Sequence, residues 1–386
     1  MEPLLHVPRE EYGARLRRTL DAMAAAGLDG LLLFSPASHY WLTGYDTFGY
    51  CFFQCLVLRA DGEMALLTRT PDLRQARLTS IIPEIRIWKD GADADPVREL
   101  RALLAEKGLL GRRLGVEWDT HGLTGATGRR LEGVLGGDCR LEDASLLVSR
   151  LRLVKSPTEL AFVRRAAELA DSAFGAALSE IRPGGDEARI LARMQGAVFE
   201  GGGDYPANPF IIGSGPKALL CRYSTGRRRL DAVDRLTLEW AGVFRHYHAA
   251  LMRTVCVGEA DAYDRFLFDA CREALSACEE RLVPGATLGE VFAAHARTLD
   301  RYGLAPHRMA ACGYSLGAVF APSWMDWPMI HAGSPVVLEP GMVFFVHIIV
   351  MDSERGRAMT LGRTSVIGED GPEPLSRLPV ELAVAA

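Results

Sequence analysis

The sequence lacks a run of apolar residues long enough to cross a membrane, and it lacks the basic start and apolar core of a secretory signal peptide. It also lacks a strong excess of one charge: 44 Lys and Arg stand against 49 Asp and Glu, for a net charge of −5. We therefore expect neither a nucleic-acid partner nor a membrane partner, and we predict a cytoplasmic protein that acts on a small molecule.

Cysteine pairs that bind metals are missing as well. The chain has eight cysteines, and no two of them form a CxxC pair. Zinc ligation through cysteine is therefore not expected, and in a reducing compartment most of these thiols are predicted to be small buried residues. No glycine-rich phosphate loop follows a predicted strand. No cofactor is predicted.

The 386 residues are enough for two domains. Residues 1–150 alternate predicted strands and helices, which indicates a small α/β domain with a mostly parallel sheet. Residues 143–155 are interpreted as a linker, and Ser156 to Glu159 have the pattern of a capping box that starts a long helix. From there the pattern is two helices, a hairpin, two helices and antiparallel strands, which is typical of an α+β domain over residues 151–386.

A segment rich in aromatic residues interrupts the first domain. Residues 40–46 are predicted to form a loop, and five aromatic side chains stand between positions 40 and 50. Local packing would explain them. Alternatively, this loop covers a site on another domain or subunit, which would make Tyr45 a substrate-binding residue.

The most unusual stretch is the predicted hairpin over residues 235–258, which carries Glu239, His246 and His248 near its bend. A buried carboxylate is costly unless it has a partner. If the second strand is regular, His246, His248, Ala250 and Met252 share one face, because side chains alternate along a strand. Titratable and apolar groups together are typical of a pocket wall, and a charged surface rim is the alternative.

Three motifs resemble one known superfamily. They are the helix start at residues 153–159, the stretch at residues 338–344 and the hairpin end Arg253–Thr254. All three are similar to creatinase, prolidase and aminopeptidase P. This resemblance implies an N-terminal α/β domain followed by a catalytic domain of the pita-bread fold. It also implies a homodimer in which an N-terminal domain borders the neighbouring subunit's active site.

The peptidases of this superfamily hold two metal ions with two Asp, one His and two Glu. By resemblance these five positions fall here, in that order, on Glu239, Ala250, Tyr314, His347 and about Gly362. Only one position keeps a carboxylate, so no dinuclear metal site is expected. A single ion held by Glu239 and His347, with Tyr314 or His248 as third ligand, remains the alternative.

Metal-free members of the superfamily, such as creatinase and ectoine hydrolase, cleave C–N bonds of small non-peptide molecules. The sequence is most similar to ectoine hydrolase in stretches around the implied site: residues 42–46, 54–55, 202–206, 239–243, 247–249, 253–254 and 312–314, with Pro322 and Trp324. It departs from the metal-free relatives at one position. Their proposed general base, a histidine, is replaced by Arg222, and an arginine cannot serve as a base at neutral pH.

The resemblance and the chemistry together assign candidate catalytic roles. Glu239 is predicted to pair with an amidinium-like ring, with a structural ion pair as the alternative. His248 and His347 are candidate bases, and a buried structural role is open for each. Tyr314 is a candidate donor to developing charge.

The candidate substrate-binding residues differ in chemistry. Arg222 can clamp a carboxylate, although a solvated arginine is equally consistent with the sequence. Trp240 and Trp324 can offer aromatic faces to a cation, with core packing as the alternative. Asp204 and Tyr205 join this set through the shared stretch at residues 202–206.

The sequence thus predicts a metal-independent hydrolase that cleaves a C–N bond of a small polar nitrogen compound, such as a cyclic amidine of the ectoine kind. A lyase or cyclase of a specialised biosynthetic pathway is the first alternative, because the base position has changed. A non-catalytic ligand-binding homologue is the second.

Overall fold

In the computed structural model, residues 2–222 and 226–385 are described. The chain divides into two compact units between Arg152 and Leu153, two residues beyond the boundary read from the sequence. No helix within the described ranges is long and apolar enough to cross a membrane.

The first unit is built on a six-stranded sheet. Its elements are α1 (Arg9–Ala26), β1 (Gly30–Leu33), α2 (Pro36–Thr43), β2 (Cys55–Arg59), β3 (Met64–Arg69), α3 (Leu73–Thr79), β4 (Glu84–Trp88), α4 (Pro96–Glu106), β5 (Arg113–Val116), α5 (Gly125–Leu135), β6 (Arg140–Asp143) and α6 (Leu147–Leu153). The strands lie in the order β4-β3-β2-β1-β5-β6. Three of the five strand pairs are parallel, and β2 pairs antiparallel with both β1 and β3. This confirms the predicted α/β class.

Two expectations for this unit were wrong. Residues 40–43 of the predicted loop at 40–46 are the end of a helix, α2, because Pro36 fits a first helical turn and the side chains of the helix are buried in the unit's core. The predicted linker at residues 143–155 contains α6. There, Val148 is buried in an apolar cluster, so the segment is part of the unit and not a free connection.

The second unit has a nine-stranded sheet. Its helices are α7 (Pro157–Leu178), α8 (Glu187–Glu200), α9 (Ala262–Glu279) and α10 (Leu288–Arg301). Its strands are β7 (Ile211–Ser214), β8 (Asp234–Phe244), β9 (Tyr247–Val257), β10 (Ala311–Ser315), β11 (Asp326–His331), β12 (Val343–Asp352), β13 (Arg357–Ile367), β14 (Pro372–Pro374) and β15 (Ala383–Ala385). Seven strands lie in the order β11-β10-β12-β13-β9-β8-β7, with β14 beside β13 and β15 beside β9.

Helix caps in the second unit follow the sequence closely. The predicted capping box of α7 is present: Ser156 accepts from the backbone of Glu159, and the Glu159 carboxylate accepts from the backbone of Ser156. Residues Thr287 and Glu290 form the same motif at α10. These local signals explain why the helices of this unit begin where the sequence predicts.

One face of the sheet is covered by helices and the other carries the candidate site. Phe344, Val346 and Ile348 of β12 belong to an apolar cluster with residues of α9 and α10. Alternate residues of a strand point to opposite faces. Phe345 and His347 therefore lie on the opposite face of the sheet from these helices.

Candidate active site

A row of cross-strand partners runs across the face of the second sheet that lies opposite α9 and α10. Ile211, Glu239, Met252, Gly362 and His347 are paired in that order through β7, β8, β9, β13 and β12. Directly paired residues in an antiparallel sheet lie on the same face. The sheet register therefore places Glu239 and His347, which are 108 positions apart in the chain, on one surface.

A second row lies beside the first. Tyr314 pairs with Phe345, and Phe345 pairs with Thr364. The Thr364 hydroxyl accepts a hydrogen bond from the backbone N–H of Ala250 and donates one to the carbonyl of the same residue. Together the two rows bring onto one face all five positions that the sequence aligned with the metal ligands of the peptidases.

Glu239 is the central ionisable group of this face. It is 9% exposed, and its Oε1 accepts a hydrogen bond of 3.1 Å from the Tyr314 hydroxyl. Burial raises the pKa of Glu239 to about 7, while the hydrogen bond from Tyr314 and the positive charge of Arg222 act to lower it. A carboxyl with this pKa can both take up and release a proton near neutral pH.

Tyr314 links Glu239 to Trp324. The indole Nε1–H of Trp324 donates to the Tyr314 oxygen over 2.8 Å. Burial, with the nearby charge of Glu239, raises the pKa of Tyr314 well above its ordinary value. Tyr314 therefore keeps its proton at neutral pH and donates a hydrogen bond to Glu239, while its predicted donation to developing charge on a substrate stays a prediction.

His347 lies at the far end of the first row, with its ring 5.7 Å from that of Tyr314 and 5.5 Å from that of Phe345. Burial lowers the pKa of His347 to about 3, and the charges of His295 and Arg222 act in the same direction. Its Nδ1 is buried and has no hydrogen-bond partner within residues 2–222 and 226–385. The imidazole is therefore neutral at neutral pH, and burial leaves this nitrogen without a hydrogen bond from the described chain.

Arg222 is exposed, but its charge reaches the same groups. It lowers the pKa values of Glu239, Tyr314 and His347. Burial raises the pKa of the neighbouring Cys221 thiol, and the negative charge of Glu239 raises it further. A guanidinium thus stands beside the row that contains Glu239 and His347.

His248 has its polar atoms occupied by the backbone. Its Nε2 accepts from the N–H of Ala207 over 3.0 Å, so Nδ1 carries the hydrogen and donates to the carbonyl of His246 over 2.7 Å. Burial lowers its pKa to about 3. Neither nitrogen is left to accept a proton from water, which favours the structural alternative for His248 over the base role.

Trp240 lies on the opposite face from Glu239. Its ring stacks on Phe174 of α7 at 5.2 Å, and its indole N–H donates to the carbonyl of Ala170 over 2.8 Å. Because adjacent strand residues point to opposite sides, these contacts support the core-packing alternative for Trp240 over the substrate-binding one. The same alternation, applied to the sequence, would have shown this.

Asp204 and Tyr205 have other partners. The Asp204 carboxylate accepts from the backbone N–H groups of Arg245 and His246, whose positive φ values of 51° and 64° form the tight turn between β8 and β9. Tyr205 is 82% exposed and meets Phe199 edge to face. These contacts assign Asp204 to the hairpin turn and leave Tyr205 at the surface of its unit.

Tyr45 belongs to the first unit and is buried in that unit's core. It is 1% exposed, and its hydroxyl donates to Gln54 over 3.3 Å. Its aromatic surroundings therefore reflect local packing within the unit.

The side chains at the five aligned positions do not fit the metals of the peptidases. No group of three or more His, Cys, Asp or Glu in the described part of the chain is arranged to hold a metal ion. At Gly362, a Cβ would lie 2.9 Å from two ring atoms of Phe345, so an aromatic ring occupies the space of a larger side chain there. One carboxylate, a phenol and a neutral imidazole do not supply the charge that two divalent ions need.

Two contributors to this face were missed by sequence reasoning. Phe345 shares a face with His347 by the period of two, so the signal was present in the strand. Asn208 accepts from the backbone N–H of Trp324 through its Oδ1 at 3.0 Å. No pattern in the sequence connects two residues so far apart.

The matches to known families cover most of the chain. Residues 161–369 match the family described as Metallopeptidase family M24, and residues 15–154 match the Creatinase/Prolidase N-terminal domain. The first of these matches spans more than half of the chain. The recognition of the superfamily and of its two-domain fold from the sequence is confirmed.

Individual relatives include an ectoine hydrolase and several dipeptidases. Ectoine hydrolase from Halomonas elongata is 28% identical over 393 residues, which cover 97% of this chain and 98% of that protein. Xaa-Pro dipeptidase from Pyrococcus furiosus is 25% identical over 236 residues, which cover 61% and 66%. The crystal structure of Dipeptidase PepE from Mycobacterium ulcerans superimposes with a TM-score of 0.84 at 24% identity over 97% of this chain and 98% of that one, which shows the shared fold.

Proposed function

The chain belongs to metallopeptidase family M24, and from the residues that stand in that family's metal positions we propose that it is a metal-independent hydrolase. The proposed reaction is cleavage of a C–N bond in a small polar nitrogen compound, such as a cyclic amidine of the ectoine kind. The observation that carries this proposal is a buried carboxyl, Glu239, whose pKa of about 7 suits proton transfer at neutral pH. It stands where the peptidases place a metal ligand.

In this reaction Glu239 is the group that moves the proton. Its carboxylate takes a proton from water as the water oxygen bonds to the amidine carbon. The same proton then passes to the ring nitrogen as the C–N bond breaks, which leaves Glu239 ionised again. The product is one water heavier than the substrate, and no electrons are gained or lost.

The other residues of the face bind the substrate and support the charge. Tyr314 donates to Glu239 and stabilises its ionised form. The neutral imidazole of His347 offers a hydrogen bond to the substrate, and the guanidinium of Arg222 pairs with a substrate carboxylate. Similarity over nearly the full length to an ectoine hydrolase supports this class of substrate.

The test is mass spectrometry of chelator-treated protein incubated with ectoine. We expect a ring-opened product one water heavier, and in Glu239→Gln we expect a loss of turnover of at least about 100-fold, because that variant cannot transfer the proton. Chelation should leave the wild-type rate unchanged.

Three outcomes would overturn the proposal in different ways. Cleavage of an Xaa-Pro dipeptide that depends on added Mn²⁺ or Co²⁺ would return the protein to the metallopeptidases. A product without the added mass of water would indicate the lyase or cyclase alternative. Ligand binding that is equal in wild type and Glu239→Gln, with no product from either, would indicate a binding protein.

A further inference from the structure

The Trp324 indole fixes the direction of a hydrogen bond in the candidate site. Its Nε1–H lies 2.8 Å from the Tyr314 oxygen, and an indole N–H can only donate. Trp324 is 1% exposed and Tyr314 is 3% exposed, so water competes little for this bond. The Tyr314 oxygen is therefore an acceptor towards Trp324.

This leaves one direction for the Tyr314 hydrogen. A phenol has a single O–H, and the remaining polar neighbour at hydrogen-bond distance in the described chain is Oε1 of Glu239, at 3.1 Å. The hydrogen therefore points at Oε1. Oε1 is therefore engaged as an acceptor, and Oε2 is the carboxyl oxygen that receives no bond from Tyr314.

Trp324 is itself held by a defined set of contacts. Its backbone N–H donates to Oδ1 of Asn208 over 3.0 Å. The neighbouring Ala207 N–H donates to Nε2 of His248, whose ring lies 6.4 Å from that of Trp324. Phe210 lies 6.5 Å away. The indole is thus fixed by the segment before β7 and by a neutral histidine of β9.

We propose that Trp324 is a positioning residue that aims the Tyr314 hydroxyl at Oε1 of Glu239 and thereby reserves Oε2 for proton exchange with the substrate. This deepens the proposed function, on which it rests for the role of Glu239 in proton transfer. It also assigns a structural role to His248 and Asn208, because their hydrogen bonds to Ala207 and Trp324 hold the residues around the indole in place.

The charged and titratable groups that act on Glu239 come from two elements. Tyr314 lies on β10, and Cys221 and Arg222 lie in the segment before β8. Its cross-strand partners, Ile211 and Met252, are apolar. Loss of the bond from Tyr314 must therefore raise the pKa of Glu239, while the effect of Arg222 remains in place.

The experiment is infrared titration of the protonated carboxyl stretch, which needs no substrate. The band that disappears in Glu239→Gln identifies Glu239. We expect Tyr314→Phe to raise the titration midpoint of this band by about one pH unit, because a hydrogen bond to the charged form is lost. Trp324→Phe should raise it by a smaller amount, and the double variant should match Tyr314→Phe alone.

A second form of the test protects against misfolding. Replacing Trp324 with its benzothiophene analogue nearly keeps the shape of the ring system and exchanges the N–H for a sulfur that cannot donate, and it should give the same shift as Trp324→Phe. Trp240→Phe is the matched control, because it removes an equally buried indole donor on the other face of the sheet. Glu117 serves as internal reference, since burial raises its pKa to about 7 in the other unit, and its band should not move.

Two results would overturn the inference. An unmoved midpoint in the benzothiophene protein would show that the indole N–H does not direct Tyr314. A double variant that shifts by the sum of the single variants would show that Trp324 and Tyr314 act independently. Neither result depends on turnover of ectoine. A failure of this inference can therefore be distinguished from a failure of the proposed function, which is tested by that turnover.

Discussion

The buried carboxyl of Glu239 should make the protein less stable as the pH rises. Its pKa is about 7 in the folded protein against an ordinary value of 4.5, and the first cause is burial. Between these two values the unfolded chain has already lost the proton while the folded protein still holds it. Stability therefore falls as the pH rises from about 4.5 to 7 and changes little from this source above pH 7.

The size of the effect follows from the two pKa values. Each pKa unit corresponds to about 1.4 kcal/mol, so the buried Glu239 lowers the free energy of unfolding by about 3 kcal/mol at pH 8 and by less than about 1 kcal/mol at pH 5. Glu239→Gln removes the ionisation and keeps a side chain that can accept from Tyr314. We therefore expect this variant to be more stable than the wild type by about 3 kcal/mol at pH 8 and by less than about 1 kcal/mol at pH 5.

Urea unfolding of the wild type and Glu239→Gln at pH 5, 6, 7 and 8 measures this difference. The control is Glu279→Gln, the same substitution at a carboxylate that both Nε and Nη2 of Arg363 contact at 2.6 Å. That variant should lose stability at pH 8, because it breaks an ion pair. A gain in Glu239→Gln that is the same at pH 5 and pH 8, or a loss at pH 8, would refute the reasoning from burial.

Two further changes test the site and the sheet that carries it. Arg222→Gln should raise KM for a carboxylate-bearing substrate at least about tenfold and leave KM for its methyl ester unchanged, because the guanidinium pairs with the carboxylate; equal effects on both would exclude the clamp. Gly242→Ala should lower the free energy of unfolding by about 1–3 kcal/mol, since its Cβ would lie 1.9 Å from the Ala166 carbonyl oxygen. Gly175→Ala, at an open position of α7, should instead raise the free energy of unfolding by up to about 1 kcal/mol. Equal losses of stability in the two variants, measured by urea unfolding, would contradict the packing argument.

The local signals in the sequence were sufficient for much of the fold. Ser156 and Glu159 marked the start of α7, and Gly27 marked the end of α1 with a positive φ of 65°. Such caps depend on residues a few positions apart, which a sequence displays directly. The loop predicted at residues 40–46 was wrong over residues 40–43, which form the end of α2 because their side chains pack in the unit's core, and local composition does not show that.

The candidate site also has some features that the sequence shows and others that depend on the fold. The sequence was enough to single out Glu239 as a carboxylate in an apolar strand, and to show that the superfamily's metal positions had changed. It could not show that His248 uses both nitrogens on backbone groups, since Ala207 lies 41 positions away. Hydrogen-bond partners across such distances exist only after the strands have paired.

The sequence by itself thus determined the superfamily, the two-part architecture and the loss of the metal-binding carboxylates, because each is written in residue types and short spacings. Only the tertiary structure decided which groups face the site. The sheet register aligns Glu239 with His347 and turns Trp240 away. Folding also removed water from Glu239 and gave it a partner in Tyr314, and the proton chemistry of a carboxyl depends on these surroundings.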